Sequence, residues 1–224
     1  MPYQLDHTTG EHLDNEAFYE DFNNHFWNCD QFWKLESAQH FAEPGNPSWE
    51  AFNAGNWDDA LKLHDDRTAD LLDYHEQCTE YGITTRRVRV VKQPITPYLQ
   101  WEMHLLFLRD ASGGPIRILP GEQFAPFETD TPTGPRFPEV CGMDKSVMYE
   151  HLYDDHGVMY KTIKYTDLAT ITNFKYVTDT LYSQAQPIAP YYLRHIKPLP
   201  TPTITEQLPP DYLKQHNRPQ PIKS

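Results

Sequence analysis

Apolar positions recur along this chain with two different periods, and the places where the period changes predict its elements. From 16 to 33, Phe18, Phe22, Phe26 and Trp27 repeat at helical spacing, which predicts an amphipathic helix with Asn15 placed to cap it. Pro44, Gly45 and Pro47 break that pattern within 41–47. Leu61, Leu63, Leu71, Leu72 and Cys78 then make an apolar stripe, predicting one helix over 56–81. Asn56 stands at its N-cap, Asp58 and Asp59 complement the dipole of its first turn, and Gly82 stops it. The period switches to two at 84–92, where Val88 and Val90 alternate with Arg87 and Arg89, the mark of a half-buried strand with a basic face.

Thr96 and Pro97 form a cap followed by a proline at the first helical position, so a second helix begins there, with Leu99, Met103, Leu106 and Phe107 inward. The turn Gly113-Gly114-Pro115 leads to a short strand at 116–119, and 128–138 read as a loop rich in Thr, Pro and Gly. A hairpin follows, with strands at 147–153 and 158–165 joined by Asp154-Asp155-His156-Gly157. Asp167 caps a last helix to about 183. Prolines 187, 190, 198, 200, 202, 209, 210, 219 and 221 exclude regular structure from the rest, leaving a loosely draped or disordered tail whose first part, 188–196, is able to dock through Tyr191, Tyr192 and Leu193. The fold class expected is α+β: a single mixed domain with a short sheet packed by helices, plus the proline-rich C-terminal tail. The division expected is an N-terminal extension with its amphipathic helix over 1–30, the α+β domain over 31–193 and the tail over 194–224.

Composition narrows the class. At 224 residues, 38% hydrophobic and 13% aromatic, the chain is able to bury a substantial core. Acidic residues outnumber basic ones by 32 to 19, and the net charge of −13 repels phosphate backbones while attracting cationic partners. A basic protein or a small anionic ligand is therefore the partner expected, with no direct nucleic-acid contact. The cysteines, Cys29, Cys78 and Cys141, are odd in number and lack zinc spacing, so neither a disulfide framework nor a metal site is expected, and no cofactor motif appears. The N-terminus lacks a basic segment followed by an apolar run, and no stretch is long and apolar enough to span a membrane, which makes a cytoplasmic location the expectation.

The ordered blocks FWKLESAQHF, WEAFNAGNWDDALKL, RRVRVVKQPITPYLQWEMHLL, GGPIRILP and YEHLYDDHGVMYKTIKYTD, spread over 32–192, resemble an uncharacterised domain family of unknown function common in actinomycetes. Its genes often lie beside helix-turn-helix regulators, and its layout is similar to the effector-side domain of some of them. The resemblance implies a regulatory or partner-binding role.

The densest chemistry is the basic strand and the helix after it. Arg87 and Arg89 share one strand face, and Tyr98 and Glu102 share one helix face four residues apart. A helix folded back on that strand would bring Glu102 to an arginine as a structural ion pair. Alternatively Arg87, Arg89 and Arg117 would form the cationic end of an anion site with Trp101 in its apolar wall and Glu102 neutralising it. Other clusters read more simply. His64-Asp65-Asp66-Arg67 fits a solvated helix face, and Asp154 to Gly157 fits a turn. His104 fits a hydrogen-bonded core histidine, and the tryptophans fit the core better than a ligand pocket. Cys141 would need a histidine supplied by the fold to act as a nucleophile. The leading function is a non-enzymatic regulatory or partner-binding protein, acting with a helix-turn-helix regulator or sensing a small anion. The alternative is a small-molecule hydrolase or transferase with a pocket of Arg, Tyr, Glu and His residues.

Overall fold

Short polar side chains set where the helices begin. In the computed structural model, which describes residues 3–132, 134–205, 207–209 and 212, Asp14 accepts the Ala17 amide and starts helix α1, Asn15–Phe26. The cap is Asp14 and not Asn15, which is already the first helical residue. Thr96 accepts the Leu99 amide at 3.1 Å to open α5, Pro97–Ala111, and Asp167 accepts the Thr170 amide at 2.8 Å to open α7, Leu168–Gln184. Between α1 and α5 lie α2 (Pro47–Asn53), α3 (Trp57–Asp65) and α4 (Thr68–Glu80). Short α6 (Gly121–Phe124) and α8 (Ile188–Tyr191) complete the helices, α8 running into a π turn, Tyr192–Ile196. No helix among the described residues is long and apolar enough to cross a membrane.

The strands are β1 (Glu11–Leu13), β2 (Gln31–Glu36), β3 (Thr84–Val91), β4 (Ile116–Pro120), β7 (Glu139–Met143), β8 (Val147–Tyr153), β9 (Met159–Tyr165) and β10 (Gln186–Pro187), with β5 (Thr129–Thr131) and β6 (Gly134–Arg136) as a separate hairpin. The main sheet has eight strands in the order β1-β9-β8-β7-β2-β3-β4-β10. Its pairs are antiparallel except β2-β3 and β3-β4, which are parallel. Because side chains alternate across a strand, register assigns each residue to a face. One face carries Trp33, Leu35, Val88, Val90, Leu119 and Ile163 against Phe174 and Leu181 of α7. The other is covered by α1 at one end, where Phe18 and Phe26 meet Met143 and Tyr149, and by α5 and α8 at the other, where Leu99, Met103 and Tyr192 meet Ile116 and Ile118. An aromatic cluster of Phe41, Trp49, Phe52, Tyr98 and Trp101 lies beyond it under α2 and α3.

The mixed α+β class holds, but several elements differ from the sequence reading. The helix expected over 16–33 ends at Phe26, and Gln31–Glu36 is a central strand. Phe26 and Trp33 lie seven residues apart, two helical turns, so a period count carries on through the break. The helix expected over 56–81 is two helices, α3 and α4, divided where the Thr68 hydroxyl donates to the Asp65 carbonyl at 2.7 Å; Asn56 makes no side-chain cap bond. Leu72 of the expected stripe is 44% exposed: on α4 it is Leu71 that turns inward, and its neighbour points about 100° away. The loop expected over 128–138 contains the β5-β6 hairpin. Strand β7 was hidden by Gly142, whose lack of a Cβ is required because one would lie 2.4 Å from Trp33 Cζ2. The tail residues 213–224 lie outside the described residues.

Candidate functional site

Parallel pairing sets Lys34 opposite Arg87 and Glu36 opposite Arg89, so four charged side chains share one face of the sheet. Helix α5 crosses this face and lowers Glu102 onto it. Arg89 Nε donates to Glu102 Oε2 at 2.8 Å, Arg87 Nε to Glu36 Oε2 at 2.5 Å, and Lys34 Nζ lies 2.7 Å from Glu36 Oε1. A fourth contact, Arg87 Nη2 to Glu102 Oε1 at 4.0 Å, closes the network. Arg89 is fully buried; its Nη1 reaches the Val90 carbonyl at 3.1 Å and its guanidinium lies 5.7 Å from the Phe41 ring centre. Burial raises the Glu102 carboxyl above its ordinary value, and the negative Glu36 adds to this against the pull of Arg89. Glu36 goes the other way: burial opposes ionisation, but Arg87, Lys34 and Arg89 together hold it well below the usual range. The network is thus a paired, water-excluded cluster, and its Arg89 end is sealed.

Of the six residues that the sequence singled out, Arg87, Arg89 and Glu102 come together. Tyr98 and Trp101 stand beside them but face the aromatic cluster: the Tyr98 hydroxyl donates to Glu43 at 2.9 Å, and Trp101 Nε1 donates to the Ser48 hydroxyl at 3.0 Å. Arg117 does not join. Its register partner is Val88, which puts it on the opposite face, where it donates to the Tyr182 carbonyl at 3.1 Å and lies 4.6 Å from the Tyr182 ring centre. The expected triad Arg87-Arg89-Arg117 is therefore split by the sheet, because positions matched across a parallel pair share a face and Arg117 is matched to an even-numbered neighbour. Lys34 and Glu36 were missed because they follow the end of the helix expected over 16–33 and belong to a strand, Gln31–Glu36, that the helical reading concealed.

The histidines also rearrange the reading. His64 is not on a solvated face: it is fully buried, its ring 4.8 Å from that of Trp101 and its Nε2 3.2 Å from the Ser48 hydroxyl. Burial pushes its pKa down to about 3. His104 is hydrogen-bonded on both nitrogens, to the Tyr192 hydroxyl at 2.7 Å and to Asp65 at 2.8 Å. The fold does supply Cys141 with a histidine, His151, 3.5 Å from its sulfur. Burial pushes that thiol up to about 12 and that imidazole down to about 3, so both stay neutral and no thiolate forms at neutral pH.

A second feature lies over the aromatic cluster. Residues 200–205 and 207–209 of the tail are irregular in conformation, and Ile204, Leu208 and Tyr212 pack against the cluster that contains Phe52, Tyr98 and Trp101. Asn53, at the end of α2, uses its amide as a clamp: Oδ1 accepts the Leu208 amide at 2.9 Å and Nδ2 donates to the Leu208 carbonyl at 3.4 Å. Gln100 donates to the Pro200 carbonyl at 3.1 Å, and the Tyr212 hydroxyl donates to Asp154. Asp154 also accepts the amides of His156 and Val158, both at 2.9 Å, so the hairpin turn and the tail share one carboxylate.

The sequence matches the family described as a domain of unknown function, DUF6879, over residues 20–193, and the chain belongs to it. No curated protein matches the chain. Among solved structures it is similar to TrmBL2, described as an archaeal chromatin protein with a novel mode of DNA binding, at 11% identity and a TM-score of 0.39. That alignment covers 80% of this chain and 53% of the other, so the chain spans about half the length of that protein.

Proposed function

We propose that this is a non-enzymatic, partner-binding regulatory protein, and that its receptor surface is the groove over the aromatic cluster, held in the free protein by its own Pro200, Ile204, Leu208 and Tyr212. The observation that carries the reading is the Asn53 clamp. Its two bonds go to main-chain atoms of Leu208, a form of recognition that accepts any extended segment and leaves selectivity to the apolar side chains on either side. A partner offering a similar proline-punctuated segment would compete with the tail, and the net charge of −13 favours a basic one, such as a DNA-binding regulator. The hydrolase or transferase alternative needs reachable reacting groups, whereas Arg89, Glu102 and Tyr98 are all buried.

The test uses the full-length chain. A labelled peptide of residues 199–212 is titrated against the wild type, against Leu208→Asp, which disables the resident segment, and against Asn53→Ala/Leu208→Asp. Binding at least about tenfold tighter to Leu208→Asp than to the wild type, and lost in the double variant, is the result expected. Equal binding to all three chains, or to none, sinks the reading.

A further inference from the structure

The guanidinium of Arg87 has a second side. Its Nε is bound to Glu36, and the residue also lines a cavity of about 50 Å³ with Phe32, Tyr74, His75, Arg109 and Gly114. At roughly 10–15 Å³ for each water position, this holds a few waters or one small oxyanion. Neither Asp nor Glu lines it.

Arg109, on α5, is the clearest anomaly. Among the described residues no carboxylate lies within ion-pair distance of it, and its Nε is sealed from solvent without a hydrogen-bond partner. The adjacent Asp110 is turned away to accept the Ile116 amide at 3.0 Å. Arg67, whose Nε is likewise sealed and unpartnered, adds positive charge beside it. Burial and the nearby guanidiniums of Arg87 and Arg67 bring the Arg109 pKa down to about 10, so it is still charged at neutral pH. His75 is 7% exposed, and its Nε2 is buried without a partner. Gly114 makes room for that ring: a Cβ there would lie 2.3 Å from His75 Cε1 and 2.4 Å from its Nε2. Cations that leave water without a counter-charge are costly, in a chain where acidic residues are in excess by 32 to 19.

We propose that this cavity is a binding site for a phosphate group, inorganic or as the terminus of a phosphomonoester, held by Arg87 and Arg109 with His75 Nε2 as a further donor. The donors come from three elements, β3, α5 and α4, and so approach from different sides. That arrangement suits a tetrahedral oxyanion, where one planar carboxylate would engage a single guanidinium fork. The inference is independent of the tail groove: it uses the opposite end of α5 and none of the residues of the clamp.

The test is titration of full-length protein with inorganic phosphate at constant ionic strength, followed by the amide resonances of Tyr74, His75, Arg109 and Gly114. Saturable shifts confined to these residues are expected, with acetate at least about tenfold weaker. A parallel titration with glycerol phosphate separates the sources: tighter binding than inorganic phosphate marks a monoester site, and equal or weaker binding marks inorganic phosphate. Arg109→Gln should weaken phosphate at least about tenfold, and Arg109→Lys should recover part of the loss. Gly114→Ala, which displaces the imidazole, should also weaken it. Arg194→Gln makes the same charge change at an exposed position and should bind as the wild type does. No saturable shift in the wild type, acetate binding as well as phosphate, or equal affinities in Arg109→Gln and Arg194→Gln would each overturn the proposal.

Discussion

Glu102 and Arg109 lie seven residues apart on α5, two turns along, and each meets the arginine strand at a different place. At Glu102 every charge has a partner: Arg87, Arg89 and Lys34 face Glu36 and Glu102 within 4.0 Å. At Arg109 they are not, and guanidiniums meet a neutral imidazole around a cavity. The same helix and strand thus carry one region where burial is offset by pairing and one where it is not. The first fixes β3 to α5, and although Arg89 Nη2 is sealed there without a hydrogen-bond partner, the fully buried guanidinium has its counter-charge in Glu102. The second has the features of a site, an unmatched charge and a space beside it, because local structure does not itself require them.

The largest effect should come from breaking the matched region. Arg89→Ala should cost on the order of 3–5 kcal/mol by urea denaturation, since it removes the hydrogen-bonded partner of Glu102 in a water-excluded place and leaves only Arg87 Nη2 at 4.0 Å. The double change Arg89→Met/Glu102→Leu should recover most of that loss, because no buried charge is then left unpaired. A loss below about 1 kcal/mol for Arg89→Ala would mean that the pair does little to hold the helix to the sheet.

Acid should separate the two regions. Burial, with Arg109 adding to it, pushes the His75 pKa down from its ordinary 6.5 to about 4. The unfolded chain then binds a proton that the folded chain refuses, so this residue makes stability fall as pH drops from 6.5 and levels off below about 4. Glu36, held low, contributes stability that persists through this window and is lost only below its unfolded value of 4.5. Glu102 and Glu139, both raised by burial, act with the opposite sign, losing stability as pH rises through their folded values. Comparison of His75→Gln with the wild type isolates the histidine: the variant should lose on the order of 2–3 kcal/mol less between pH 6.5 and 4. Parallel curves for the two proteins would show that His75 is protonated in the folded state.

The smallest effect has the opposite sign to the first. Arg109→Leu should stabilise the protein by about 1 kcal/mol in phosphate-free buffer, because it removes an unmatched charge and a sealed, unpartnered donor. Added phosphate should raise the melting temperature of the wild type and narrow this difference. Destabilisation by Arg109→Leu in phosphate-free buffer would make Arg109 architectural, like Arg89.

The chain's own pattern determined the parts that depend on neighbours in sequence. Thr96 with Pro97, Asp167, and the turn at Asp154 each act through atoms within a few residues, so their elements stand where the sequence put them. The pairing of Glu102 with an arginine was also foreseen as one of two outcomes, because strand and helix follow each other with only a short connection. What the tertiary structure decided is everything set by register and by crossing. Whether Gln31–Glu36 is helix or strand depended on β3 and β7 lying on either side of it, and only that pairing brought Glu36 beneath Arg87. Arg117 was sent to the far face by a parity that no spacing along the chain contains, since it is counted across β3 and β4. His75 and Arg109 were invisible for a related reason. Each is an ordinary residue on its own helix, and their meaning comes from the cavity that α4, α5 and β3 enclose together.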